Sequence, residues 1–211
     1  MRCLYIDTSS SYLYTAIVED EKLISEIKED FGQRLSEVAL PKIASMFTSN
    51  NIDPKDIDKI IVVDGPGSFT GIRIGITIAK VYSWSLNIPI TTTTSLEAMA
   101  LSSDEDKIHV PIINARRGFV YASIYDKNYR ELFKAQHIKL DDLLKELEKY
   151  DDYEFISNDI FEEIDNIKSY NPNLEKIINY NKDKENENAH AVNPEYLKLT
   201  AAEESRLWLK N

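Results

Sequence analysis

Glycine, cysteine and histidine are scarce in this sequence, and basic residues are outnumbered. Among 211 residues there are six glycines, one cysteine and three histidines. A lone cysteine, Cys3, cannot close an internal disulfide, which excludes a stapled secreted scaffold and fits a reducing compartment. Lys and Arg total 25 against 36 Asp and Glu, a net charge of −11. The deficit is shared: residues 1–100 carry nine basic and thirteen acidic side chains, residues 101–211 sixteen and twenty-three. Neither half has the surplus of cations on which phosphate binding depends, so any nucleic acid is expected to be held mostly by a partner. His109, His137 and His190 include no pair at i, i+4, so no helical metal site is expected. A Ser-His or Cys-His nucleophile would need one of these three beside it, and no catalytic residue can be placed. No apolar run approaches the roughly 20 residues that span a bilayer, and Met1 to Asp7 is too short for a signal peptide. A soluble, cytoplasmic chain with no membrane contact is the expectation.

What is present reads as a globular α/β chain, with 43% hydrophobic and 29% charged residues. Its length allows one large domain or two small lobes. Leu4–Ile6, Tyr14–Val18 and Leu23–Ile27 predict three successive antiparallel strands. Leu35, Val38, Ala39, Ile43 and Met46 recur at helical spacing. Ile60–Val63 is the continuous apolar run of a strand buried on both faces. From Phe69 to Leu86 the isoleucines alternate, which favours a strand by period. The run is long for a strand and holds no turn signal, however, and Gly71, Gly75 and Ala79 fall four apart; a helix is expected, a choice tipped by the family resemblance described below. Ile88–Thr93 reads as a strand, and Ser95 as the cap of a short helix. After the polar break at 102–106 the pattern restarts: strands at Val110–Ile113, Val120–Tyr125, Phe133–Ile138 and Tyr153–Ile156, helices at Asp141–Tyr150 and Asp159–Ile167. Residues 1–103 and 104–211 are therefore expected to form two lobes. Asn181–Ala191 has almost no apolar content and reads as a solvated loop; Pro194–Leu209 regains helical spacing.

Four of the six glycines lie in Gly65-Pro66-Gly67-Ser68-Phe69-Thr70-Gly71-Ile72-Arg73-Ile74-Gly75. A strand-to-helix turn with exposed amides is a candidate anion site, made of Gly65, Gly67 and Ser68 beside Asp7, Thr8 and Ser9. No Gly-Lys-Ser or Gly-Lys-Thr follows, so it is not a P-loop, and a tight turn with close helix packing explains the same glycines. Asp7 and Asp64 end strands at one sheet edge, as turn caps or as a carboxylate pair. Gly71, Gly75 and Ala79 leave a strip almost free of side chains, at about 1 kcal/mol per glycine against alanine. Another backbone must come close there, either inside the chain or from a partner helix. Arg73, inside this apolar helix, either reaches solvent, pairs with Asp64, or holds an anion or partner carboxylate.

Asp7-Thr8-Ser9, the glycine segment, Asn114-Ala115-Arg116-Arg117-Gly118-Phe119-Val120-Tyr121 and Pro194-Glu195-Tyr196-Leu197-Lys198 together resemble the TsaB (YeaZ) family of bacterial tRNA threonylcarbamoyladenosine factors. The blocks occur in family order along nearly the whole chain. Departures exist: Leu35 precedes Ser36-Glu37 where His is usual, Asn114 stands for Asp, Phe119 for Glu and Lys198 for Arg. The resemblance implies an actin-like, RNase H-like fold of two lobes, each a mixed sheet with flanking helices. It implies a non-catalytic relative of a TsaD-like transferase, which modifies N6 of adenosine 37 in ANN-decoding tRNAs. The partners implied are that transferase, a TsaE-like ATPase, tRNA indirectly through the complex, and a possible second copy. A dimer through first-lobe helices makes Ser36, Glu37, Leu40, Pro41, Gly71, Arg73, Gly75 and Ala79 candidate contacts, and Arg116 and Arg117 candidate tRNA or partner contacts. No cofactor is expected: no glycine follows Gly118, so a glycine-lined adenosine wall cannot be built in the second lobe. Competing readings are an active actin-fold kinase and, more remotely, a peptidase acting on the transferase.

Overall fold

The computed structural model describes residues 1–198. Strands β1 (Arg2–Asp7), β2 (Tyr12–Glu19) and β3 (Lys22–Asp30) form the expected antiparallel meander. Helix α1 (Leu35–Ser49) follows, then β4 (Lys59–Gly65), α2 (Phe69–Leu86), β5 (Ile90–Thr94) and α3 (Ser95–Leu101). β4 lies parallel to both β1 and β5, giving the order β3-β2-β1-β4-β5 with only β2 running the other way. A second sheet, β8-β7-β6-β9, uses β6 (Ile108–Arg116), β7 (Phe119–Tyr125), β8 (Glu131–Lys139) and β9 (Tyr153–Ile156), with α4 (Leu140–Leu147) between the last two. Helix α5 (Leu174–Asn181) completes the set. Two mixed sheets with flanking helices are thus observed, as expected.

The apolar strand β4 shows why the first lobe is layered. Ile60 and Val62 face a cluster with α1 and α2, whereas Ile61 and Val63 face a second cluster with Leu174, Ile177 and Ile178 of α5. A strand covered on both sides has no polar face to present, hence its unbroken Ile-Ile-Val-Val. The α5 helix thus lies on the first sheet, although it follows the second sheet in sequence.

Helix α2 follows the glycine spacing and not the isoleucine alternation. Ser68 caps it by accepting from Gly71 N at 3.2 Å, and Asn87, in left-handed conformation at φ 56°, ends it. Its inner side is Gly71, Ile72, Gly75, Ile76, Ala79 and Ser83. A Cβ at Gly71 would strike the Thr8 carbonyl oxygen, and one at Gly75 would lie 2.5 Å from Thr8 Oγ1. The strip Gly71, Gly75, Ala79 therefore admits the end of β1 and is buried, not offered to a partner. A contact that needs a bare backbone is satisfied internally.

Four other expectations are corrected or refined. Residues 159–167 are turns and bends, because Lys168 pairs with β9 through Lys168 N to Phe155 O at 2.8 Å and Ser157 N to Lys168 O at 3.0 Å, drawing the chain out of a helix. Thr94, not Ser95, caps α3, accepting from Glu97 N at 3.0 Å; the Ser95 hydroxyl donates to Pro66 O at 2.5 Å. The polar stretch after Asn181 is a strap along the edge of β5: Glu187 N donates to Ile90 O at 2.8 Å, Thr91 Oγ1 to Glu185 O at 3.0 Å, and the buried Lys59 ammonium to Lys184 O. Val192 then enters the core. Pro194 to Lys198 is not helical; the rest of the expected C-terminal helix lies outside the described residues.

Gly71→Ala is expected to lower the unfolding free energy by about 1–3 kcal/mol through overpacking on Thr8. Thr77→Ala, exposed on the same helix, should change it by no more than about 0.5 kcal/mol. Urea titrations of both variants check this.

Candidate functional site

The C-terminal ends of β1 and β4 lie side by side, which brings the two expected loops together. Asp7 caps its own turn, its Oδ1 accepting from Ser9 N at 2.8 Å. The Thr8 hydroxyl donates to Gly71 O at 2.7 Å, and Ser68 N donates to Ser9 O at 2.6 Å. Gly67, at φ 155°, leaves room for that Ser9 carbonyl where a Cβ would collide. The Ser68 amide, one of those available for an anion, is thus engaged by the neighbouring loop. Gly65, at φ 135°, is covered by the Glu195 carbonyl oxygen 2.7 Å from where its Cβ would stand. Of the six candidate residues, Asp7, Ser9, Gly67 and Ser68 line a cleft between the lobes, whereas Thr8 and Gly65 are packed behind it.

This cleft has a volume of about 1230 Å³, and its second-lobe wall includes Asn114, Arg116, Tyr121 and Asp159. The ionisable side chains along it, apart from tyrosines, are Asp7, Lys28, Arg116 and Asp159, two of each sign. Lys28 is engaged by Glu26 at 3.0 Å and by Pro172 O at 3.2 Å. Burial raises the Asp7 carboxyl above the ordinary aspartate value. No group of three or more His, Cys, Asp or Glu among the described residues is placed to hold a metal ion. Cys3 is buried, and that burial pushes its thiol up to about 11, as for an inert core cysteine. His109 is fully buried, with Nδ1 2.8 Å from Glu154.

The strap closes over the other side of the glycine loop. Glu195 N donates to Asp64 O at 2.8 Å, and Lys80 Nζ donates to Val192 O at 2.8 Å. Arg73 does not pair with Asp64. Its guanidinium lies 3.8 Å from the Phe69 ring centroid and donates through Nε to the Tyr196 hydroxyl at 2.8 Å, while Phe69 and Tyr196 stack at 4.7 Å. Asp64 Oδ1 is buried without a hydrogen-bond partner. Asp7 thus caps its turn, whereas the Asp64 carboxyl is not seen bonded to it.

Beyond the cleft, whose lining reaches Ser36 at the start of α1, α1 and α2 present an apolar outer side. Ser36, Glu37, Leu40 and Pro41 are all exposed on α1. Leu40 is 50% exposed, Phe69 48%, Val81 58%, Trp84 73% and Tyr196 38%. Phe69, Val81 and Trp84 escaped the sequence reading, although their signal was present: α2 is apolar around much of its circumference, as a helix with neighbours on two sides would be. Arg116 and Arg117 sit exposed at the tip of the β6–β7 hairpin, both in left-handed backbone at φ 66° and 57°.

Burial pushes the Asp64 carboxyl up to about 7, with the Glu195 carboxylate adding to the effect. Native Asp64 thus holds its proton to higher pH than the unfolded chain, whose aspartate releases it near 3.8. Between those values the native state binds more protons, so this residue's contribution to stability falls as pH rises from about 4 through 7. Asp64→Asn should remove that decline. Its stability relative to the parent is expected to grow over this interval and then level off, as read by denaturant unfolding at stepped pH.

A family model described as TsaD, tRNA N6-adenosine threonylcarbamoyltransferase, matches residues 27–172. The tRNA threonylcarbamoyladenosine biosynthesis protein TsaB of Bacillus subtilis is 34% identical, with 96% of each chain covered. The protein of the same name from Buchnera aphidicola (Schizaphis graminum) is 32% identical over 69% of this chain and 74% of its own. YeaZ from Pseudomonas aeruginosa has the same fold, with a TM-score of 0.71 at 17% identity, covering 93% of this chain and 99% of that one. With the B. subtilis likeness running along almost its full length, and that fold reproduced, this chain belongs to the TsaB (YeaZ) family of tRNA threonylcarbamoyladenosine biosynthesis proteins.

Proposed function

We propose that this chain is the non-catalytic, activating subunit of the complex that installs threonylcarbamoyl on N6 of adenosine 37 in ANN-decoding tRNAs. It docks on a TsaD-like transferase through the outer sides of α1 and α2, a TsaE-like ATPase joins, and tRNA reaches it through the assembly. The observation that carries this reading is the concentration of exposed Leu40, Phe69, Val81, Trp84 and Tyr196 on two neighbouring helices and the strap that borders them. Exposed apolar patches rimmed by polar residues mark association surfaces, and aromatic residues dominate the energetics of such contacts. Ser36, Glu37 and Arg73 form the polar part of the same surface, with Pro41 beside them. Pro41 lies inside α1 and has no N–H to give, so the Glu37 carbonyl lacks its helical donor and can accept from a partner. Unlike the apolar side chains, this carbonyl tolerates covering only by a surface that donates to it.

The inter-lobe cleft supports the non-catalytic part. Its two loops bond to each other across Ser68 and Ser9, and its carboxylates balance its cations, whereas a triphosphate needs surplus positive charge or a metal. The same helix face would serve a second copy of this chain when no transferase is present, through an isologous contact.

The purified chain is expected to show no ATP hydrolysis or threonylcarbamoyl transfer alone, and to stimulate transfer when a cognate TsaD-like protein is added. Robust turnover by the chain itself would overturn the reading. Trp84→Asp and Val81→Asp replace exposed side chains, so thermal stability should hold. Affinity for the transferase should fall by about thirtyfold or more, as for a hot-spot residue. Co-purification and calorimetry measure this.

A further inference from the structure

Charge is unevenly distributed along this acidic chain. Residues 114–139, from the end of β6 through β8, hold six basic and two acidic side chains within a net charge of −11. The sheet register gathers part of this charge beside aromatic rings. Phe119 pairs with Arg116 on one side and with Lys139 on the other, and Tyr121 pairs with His137. Across the β7–β8 pair, directly opposite residues project from the same face, and Arg116 follows the bulge at which the β6–β7 register shifts, in left-handed backbone. The Phe119 ring stacks on His137 at 4.6 Å with 7° between planes, and Tyr121 tilts against the same imidazole at 5.4 Å. Arg116, Arg117 and Lys139 are exposed around this ladder, and none makes an ion pair with a described residue. Phe119 and Tyr121 are half-buried, and Tyr121 and Arg116 border the cleft.

Cations flanking a ring platform match phosphates flanking a base. A single-stranded nucleotide can lay its unstacked base on an aromatic side chain while its phosphates meet Arg and Lys. An acidic protein surface would satisfy the cations and leave the rings without a role. We propose that this ledge contacts single-stranded RNA, with phosphates on Arg116, Arg117 and Lys139 and a base stacked on Phe119. The inference rests on the reading that the chain works within a tRNA-modifying complex, and it adds where RNA touches this subunit. With three cations the contact is an auxiliary one, in keeping with the acidic remainder of the chain.

The test is fluorescence anisotropy with a synthetic RNA hairpin carrying a single-stranded loop, titrated with the full chain, alone and with its transferase, across a salt series. The triple variant Arg116→Gln, Arg117→Gln, Lys139→Gln should weaken binding about tenfold or more. It should also flatten the logarithmic salt dependence by about two, near 0.7 for each phosphate no longer neutralised. Phe119→Leu, which keeps an apolar side chain against His137, should weaken binding about fivefold or more without changing the salt slope. Unchanged RNA affinity in both variants overturns the proposal, as does tighter binding of polyglutamate than of RNA. Transferase co-purification should survive the ledge variants; its loss would make the ledge a protein interface and overturn the proposal. If instead the Trp84→Asp chain still binds transferase while the ledge variants lose RNA, the docking face has been misassigned and the ledge stands.

Discussion

The backbone contact between the first loop and helix α2 sets the geometry on which the rest of the first lobe depends. Thr8 lies where the side chains of Gly71 and Gly75 would be, its hydroxyl bonded to the Gly71 carbonyl, and Ser9 holds the Ser68 amide. This close approach fixes α2 across the ends of β1 and β4. Once α2 is fixed there, its inner isoleucines fill the core and its outer face turns Val81 and Trp84 to solvent. The glycines therefore act at a distance: they position the exposed apolar side of α2 without belonging to it. The same contact engages the Ser68 amide with the Ser9 carbonyl, tying the two loops to each other.

The second organising feature is the division of faces on β4. Two apolar clusters meet at this strand, one completed by α1 and α2 and the other by α5. Because α5 comes from beyond the second sheet, the lobes are joined by more than the single crossing after α3. Further ties include Tyr129 Oη to Ser103 O at 2.7 Å and Lys176 Nζ to Tyr129 Oη at 2.6 Å. The cleft is walled by residues that run from Asp7 to Pro172.

Much of this was readable beforehand. All the strands appear where β-branched and aromatic runs placed them, and α2 coincides with Phe69–Leu86 because an eighteen-residue run without a turn residue outweighs a period-two alternation. The failures share a physical origin in backbone bonds, which composition does not encode. Residues 159–167 carry helical spacing, yet pairing of Lys168 with β9 holds the segment open and leaves Ile160 89% exposed. The stretch after Asn181 has few apolar side chains, and main-chain groups of β5 hold it down instead. At the candidate site, residue types identified the two loops and the hairpin arginines. They did not reveal that the loops bond to each other, that Tyr196 would occupy Arg73, or that the glycine strip faces inward.

The strap has a consequence for synthesis. A nascent chain emerging from the ribosome in order would display β1 to α3 long before Leu174 and Val192 exist to cover them. Two sides of the first sheet thus stay partly bare throughout elongation, and the lobe that begins first is finished last. Vectorial folding of this protein is circular in outcome, with its opening strands waiting for its closing segment.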